Sequence, residues 1–136
     1  MLEIFESFIS ILTGDSTLLQ TVKVSNILTG PVDILQEQQS TLLAPAIILS
    51  QVSEVMRSVP LNTRDTMVQL DIYSRNSQLE LETIYERVLL LLNYDSGNQN
   101  TAHIFWQKLS GAVDQFESDR RIWHRSCTFT CWAIKP

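Results

Sequence analysis

The residues best suited to covalent chemistry lie close together near the end of the chain, at His124, Ser126 and Cys127. A serine or cysteine beside a histidine can act as an activated nucleophile. The surrounding residues alternate as in a strand, so His124 and Ser126 share one face and Cys127 lies on the other. A hydrolase would also need a third group to orient the histidine and an oxyanion site, and the sequence indicates neither. We therefore expect no catalytic residues and a protein that is not an enzyme.

The two cysteines, Cys127 and Cys131, raise the question of a disulfide or a metal site. Four residues of regular strand span about 13 Å, which is too far for the two sulfur atoms to bond. The histidines, His103 and His124, are not in ligand spacing with the cysteines, so a zinc site is not expected. The sequence also contains no glycine-rich phosphate loop and no His-Glu-x-x-His motif. We expect two reduced core cysteines, no metal and no cofactor.

The net charge of the chain argues against nucleic acid as its dedicated partner. The chain has a formal charge of −5 at pH 7, whereas a dedicated nucleic-acid binder usually presents a basic patch to the phosphates. One basic cluster, Arg120, Arg121 and Arg125, surrounds Trp123 and His124. This cluster can contact phosphate, an acidic subunit surface or only solvent, and the sequence leaves these alternatives open.

Length and composition are typical of one globular domain. The chain has 136 residues, of which 44% are hydrophobic and 18% charged, and we expect a single domain over residues 1–136. The longest uninterrupted aliphatic run, residues 88–92, is far shorter than the ~20 residues of a membrane helix. Glu3 and Glu6 stand where a secretory signal would carry basic residues. The sequence therefore predicts neither a membrane span nor export by that route.

The clearest structural signal runs from residue 67 to residue 93. Residues 67–74 alternate between apolar and polar types, which predicts a half-buried strand with Val68, Leu70 and Ile72 on one face. Ser77 and Glu80 then form a capping-box pair, which marks the start of a helix. Apolar residues follow at three- and four-residue spacing through residue 92, so this helix should pack its apolar face on the sheet.

The remaining elements complete the predicted fold. Helical spacing predicts a helix over residues 2–13 that ends at Gly14, followed by a short helical turn over residues 15–20. Further strands are predicted at residues 22–24, 45–50, 103–116 and 121–134, with Gly111 as a possible bulge. Residues 53–65 have no clear period and predict a long loop or a flexible hairpin tip. The sequence thus predicts an α+β fold, with an antiparallel four- to five-stranded sheet and two principal helices packed on one face.

Two surfaces are candidates for partner binding. Residues 53–65 carry more apolar side chains than a solvated connection needs, so they are predicted to bind a partner; the alternative is that they fold back onto their own domain. The sheet face opposite the helices mixes polar and aromatic residues, as assembly surfaces do. The first set comprises Val55, Met56, Arg57, Val59 and Leu61, and the second, a candidate subunit interface, comprises Gln69, Asp71, Tyr73, Arg121, His124, Arg125 and Trp132.

The strand that ends in Asp-Ile-Tyr-Ser-Arg at residues 71–75, together with the helix after it, resembles the core of the bacteriophage tail terminator and tail-completion (head–tail joining) proteins. The helix over residues 2–13 and the strands at 45–50 and 121–134 follow in the order that this family shows. The resemblance is one of pattern over most of the chain. It implies a structural virion protein at the tail–neck junction, where a ring caps the tail tube, ends tube polymerisation and provides the docking surface for the neck.

The same resemblance implies a set of partners. These are further copies of the chain in a hexameric ring, the tail tube protein and the neck or head-completion protein, with DNA passing through unbound, no membrane, and assembly in the host cytoplasm. Arg120, Arg121 and Arg125 are candidates to face the glutamates of a neighbouring subunit's central helix across the ring contact. Two alternatives stay open, namely a head–tail adaptor or other neck or baseplate component, and a cytosolic binding domain unrelated to phages.

Overall fold

The computed structural model describes residues 2–29, 45–57, 63–74, 76–92, 104–117 and 122–134. Within these ranges the chain forms three helices, a short 3-10 turn and five strands. The helices are α1 (Leu2–Thr13), α2 (Ser16–Leu19) and α3 (Gln78–Leu92), and the 3-10 turn is Val24–Asn26. The strands are β1 (Ile27–Thr29), β2 (Ala46–Arg57), β3 (Thr63–Ser74), β4 (Ile104–Glu117) and β5 (Ile122–Ile134).

The five strands form one mixed sheet in the order β1-β2-β3-β5-β4. The pairs β2–β3, β3–β5 and β4–β5 are antiparallel, as predicted, whereas β1 pairs parallel with β2, so the prediction of a wholly antiparallel sheet is wrong. The chain between Thr29 and Ala46 exceeds the dozen or so residues that a parallel crossover needs. The first strand also lies later than expected, because the 3-10 turn at Val24–Asn26 displaces it to Ile27–Thr29.

Helix α3 begins with a capping arrangement that differs from the predicted one in one contact. The Glu80 amide donates to Ser77 Oγ at 3.0 Å, which is the serine half of a capping box. The Glu80 carboxylate, however, accepts from the Ser74 hydroxyl at 2.6 Å and from the Asn76 amide group at 2.8 Å. The glutamate therefore ties the end of β3 to the first turn of α3.

One face of the sheet and the apolar faces of α1 and α3 enclose the core. Alternate residues of β3 and β5 are fully buried there, as the period-two pattern predicts. Phe8 of α1 meets Phe129 of β5 edge to face, with ring centroids 6.1 Å apart. The largest contributors are Phe8, Leu12, Ile47, Leu49, Leu70, Ile72, Leu81, Ile84, Leu92 and Phe129. Both principal helices therefore pack on the same face, as predicted.

The hairpin of β2 and β3 is longer than the sequence indicates. Residues 53–57 pair with residues 63–67, so most of the predicted loop over residues 53–65 belongs to strands. A register shift between Gln51 and Ser53 interrupts the alternation, and this irregularity hid the strand pattern. Val55, Met56 and Arg57 lie in β2, whereas Val59 and Leu61 lie outside the described residues.

Strand β4 matches its prediction closely. It covers Ile104–Glu117 and contains an irregularity between Leu109 and Gly111, where the sequence suggested a bulge. A second irregularity lies between Ile104 and Trp106. In the described part of the chain, no helix has both the length and the apolar character needed to cross a membrane.

Candidate functional site

A polar cluster lies on the sheet face opposite the core, where β3 and β5 run side by side. The register pairs Asp71 with Ser126, Gln69 with Thr128 and Tyr73 with His124. Since neighbouring residues of a strand point to opposite faces, the core positions of Leu70 and Ile72 force these residues to the other side. Four of the seven residues predicted for this surface, Gln69, Asp71, Tyr73 and His124, are therefore brought together.

The Asp71 carboxylate is the centre of this cluster. Its Oδ1 accepts a hydrogen bond from Ser126 Oγ at 2.6 Å and lies 2.8 Å from His124 Nε2. Gln69 Nε2 donates to Asp71 Oδ2 at 3.0 Å and to Ser126 Oγ at 3.1 Å. Tyr73 stacks on the His124 ring with centroids 4.3 Å apart and an interplanar angle of 15°. The side chains hold one another in fixed positions across two strands.

The electrostatics of Asp71 follow from these contacts. Burial by itself raises the pKa of Asp71, but the hydrogen bonds from His124, Ser126 and Gln69 favour the charged form and leave the pKa below its usual value. The residue is therefore an ionised, hydrogen-bonded carboxylate at neutral pH. Hydrogen-bond donors stabilise such a carboxylate, and removing the donors while it stays buried lowers the stability of the fold.

This cluster contains serine, histidine and aspartate, but not in the order of a catalytic triad. In a triad the histidine lies between the other two and removes the proton from the serine. Here Ser126 donates directly to Asp71, and His124 contacts the same carboxylate oxygen. The serine hydroxyl is thus held by a carboxylate acceptor, and the arrangement supplies a fixed polar and aromatic surface.

Arg125 lies on the other side of the sheet, so its placement corrects the prediction that groups it with His124. Its guanidinium binds Asp114 of β4 at 2.8 Å and Glu82 of α3 at 2.7 Å, and it lies 4.3 Å from the centre of the Tyr85 ring. The Asp114 hydrogen bond raises the pKa of Arg125, and the same bond lowers the pKa of Asp114. Arg125 therefore makes with its own α3 the kind of glutamate contact that was expected across a subunit boundary.

The other predicted surface residues are placed as follows. Trp132 pairs through its backbone with Asp65 and Trp106 in the sheet, and Arg121 lies outside the described residues. Sequence reasoning missed Asp114 and Glu82 as the partners of Arg125. Strand alternation could have predicted this placement of Arg125. Arg125 and Cys127 are two residues apart and so lie on the same face, and Cys127 was assigned to the core.

A second arginine–aspartate contact, between partly exposed side chains, joins α2 to α3. Arg87 binds both carboxylate oxygens of Asp15 at 2.6 and 2.7 Å, and Asp15 also accepts from the Leu18 amide at 2.9 Å as the cap of α2. The Arg87 hydrogen bond is the main cause of the lowered pKa of Asp15. An open groove of about 630 Å³ lies beside this pair, lined by Thr17, Thr83, Glu86, Arg87, Leu89 and Leu90. The pair serves to hold the short helix against α3.

Both cysteines are free and buried in the core. Burial raises the pKa of each thiol, to about 12 for Cys127 and to about 12 for Cys131. Because the thiolate is the reactive form, these groups are poor nucleophiles and poor ligands in the folded state. Among the described residues, no group of three or more His, Cys, Asp or Glu side chains is arranged to hold a metal ion.

The three carboxylates with lowered pKa predict how stability depends on pH. For Asp15, Asp71 and Asp114 the pKa in the folded protein lies below the ordinary value of an aspartate. The stabilisation that these carboxylates provide is therefore fully present above their pKa in the unfolded chain, and it is lost as the pH falls through their pKa values in the folded protein. We expect the free energy of unfolding from urea titrations to fall steeply below about pH 4. Asp71→Asn should make that fall shallower, and equal stability at pH 6 and pH 3 would contradict the prediction.

Comparison with known proteins gives a likeness of fold. No protein-family model matches the sequence, and no curated protein matches it. Among solved structures, a chain described as "Virion of native gene transfer agent (GTA) particle" superposes with a TM-score of 0.68 at 8% sequence identity. The match covers 97% of this chain and 95% of the other. The chain therefore shares, over almost its whole length, the fold of a protein found in a virion-like particle.

Proposed function

We propose that this chain is a structural protein of a phage-like virion, and specifically that it closes as a ring on the tail tube, ends tube polymerisation and provides the docking surface for the neck. The observation that carries the proposal is the end-to-end likeness to a chain of a gene transfer agent virion, which leaves almost no part of either chain unmatched. A chain that shares such a fold over almost the whole of its given length is suited to the same general role of particle assembly.

The architecture supports a structural role. The helices cover one sheet face, while the other presents the Asp71 cluster and the stacked Tyr73–His124 pair. Mixed polar and aromatic surfaces are typical of the contact regions of assemblies. In the proposed ring this face lines or approaches the lumen, and the helices lie outside. The net charge of −5 disfavours tight contact with DNA that passes through.

We assign the contacts of the proposed ring to the ends of the elements. The outer end of the β2–β3 hairpin, which begins at Val55, Met56 and Arg57, is the proposed contact with the tail tube protein. The hairpin extends the sheet beyond the region that pairs with β1, since β1 reaches only Leu49 of β2. Other copies of the chain would complete a hexamer, and a neck or head-completion protein would bind the opposite end.

The experiment is to mix the purified chain with assembled tail tubes and to measure ring formation by light scattering and electron microscopy. Rings at tube ends, with tubes that stop growing, are the expected result. Met56→Asp should abolish binding to tube ends, whereas Leu79→Asp, an exposed position on α3, should leave it unchanged. Binding to neck components without binding to tube ends would favour a head–tail adaptor. Binding to neither would favour an unrelated binding domain.

A further inference from the structure

Strand β4 forms an unusually long edge of the sheet. In the described part of the chain it pairs with β5 on one side and is the last strand of the order. The strand has 14 residues, whereas β1 at the opposite edge has three. Natural sheets protect their edges with short strands, proline, charge or bulges, because unpaired amide and carbonyl groups bind other strands. The β1 edge is protected by its shortness, whereas the long β4 edge has irregularities only before Gly111.

The last seven residues of β4 are the least protected part of this edge. The two register shifts of β4 lie before Gly111, and the pairing with β5 then runs without irregularity through Glu117. Residues 111–114 and Phe116 are exposed, with Val113 at 61% and Phe116 at 47%. A regular strand with apolar residues exposed on both faces is a suitable template for one more strand.

We propose that the β4 edge of one chain pairs antiparallel with the β4 edge of a second copy, with Val113 on the twofold axis, to form a dimer with one continuous ten-stranded sheet. This pairing concerns the chain in solution and does not rest on the proposed function. A twofold contact is closed, since each surface is used by the same surface of the partner. It therefore occupies the exposed edge without leading to open-ended growth.

The register around Val113 makes the edge complementary to itself. Ala112 comes opposite Asp114 of the second copy, and Gly111 opposite its Gln115. The irregularity between Leu109 and Gly111 leaves Ser110 as an extra residue in β4. The residue before it, Leu109, therefore comes opposite Phe116 of the second copy, and Lys108 comes opposite its Glu117.

The faces of the sheet agree with this register. Leu109 and Phe116 pair with Phe129 and Trp123 of β5, which lie on the core side. Lys108 and Glu117 pair with Thr130 and Ile122 on the other side. Each apolar pair and each pair of opposite charges occurs twice by symmetry, and pairs of both kinds stabilise neighbouring strands. This self-complementarity favours a second copy over an unrelated extended peptide.

The first test is the mass of the free protein, measured by sedimentation equilibrium over a wide range of concentration and without tail tubes. We expect twice the mass of one chain, and Val113→Lys should raise the dimer dissociation constant at least about tenfold, since two ammonium groups would meet at the axis. Leu79→Lys, at a position with 76% exposure on α3, is the matched control and should leave the dissociation constant unchanged. A monomer at every concentration, or a dimer insensitive to Val113→Lys, would overturn the proposal.

The second test is cross-linking at the axis. Directly opposed residues of antiparallel strands have Cβ atoms about 4.5–5.5 Å apart, near the range for a disulfide. Val113→Cys should therefore form covalent dimers on mild oxidation, while the buried Cys127 and Cys131 stay reduced. Leu79→Cys should cross-link far more slowly, and equal rates would exclude the twofold pairing. Because neither test contains tube, failure here leaves the proposed capping function to its own experiment.

Discussion

Phe129→Ala is expected to lower the free energy of unfolding by about 3–5 kcal/mol. Phe129 has 0% exposure and lies in β5, the strand that pairs with both β3 and β4. Its ring meets Phe8 of α1 edge to face, so truncation removes a contact between the first helix and the centre of the sheet. Urea unfolding followed by circular dichroism measures the loss.

The matched control for this change is Phe116→Ala. Phe116 is also an aromatic residue of the sheet, but 47% of it is exposed and it contacts Trp123 at the sheet edge. Its truncation should cost about 1 kcal/mol or less when unfolding is measured at a protein concentration at which the chain is monomeric, so that the proposed dimer contact does not contribute. A double-mutant cycle that combines Phe129→Ala with Phe8→Ala should give a coupling energy of about 0.5–1.5 kcal/mol for the Phe8–Phe129 pair. Similar losses at positions 116 and 129 would show that Phe129 is not central to the core.

Asp71→Ala is expected to lower the free energy of unfolding by about 2–3 kcal/mol at neutral pH. The carboxylate accepts from Ser126 and Gln69 and contacts His124. Its removal leaves these three partly buried polar groups without their shared acceptor. The same urea titration measures the effect, and amide hydrogen exchange in β3 and β5 locates it.

Two variants separate the charge of Asp71 from its shape. Asp71→Asn keeps the size and one acceptor oxygen, but its amide group would meet the Gln69 amide donor, so we expect about half the loss of the alanine variant. Ser126→Ala removes one donor and leaves the carboxylate with its other partners, which should cost about 1 kcal/mol. If Asp71→Ala were no more damaging than Ser126→Ala, the carboxylate would not be the centre of the cluster.

The part of the fold that sequence predicts is the part fixed by local periodicity. The alternation at residues 67–74 and the spacing in α3 each depend on neighbours a few residues away. Both gave the correct element, and alternation also placed Gln69, Asp71 and Tyr73 on the face opposite the core. The parallel pairing of β1, by contrast, depends on where the chain returns after a long connection, and no local pattern encodes that.

By itself, then, the sequence determined the helices α1 and α3, the strand β5, the later part of β3 and the face on which the apolar residues of these elements lie, because these follow from the 3.6- and two-residue periods of the backbone. Only the tertiary structure decided which residues meet. Asp71 and Ser126 are separated by 55 positions, and Arg125 finds Asp114 and Glu82 on two different elements. Such contacts depend on strand order and register, which are set when the whole core packs and not by any single segment.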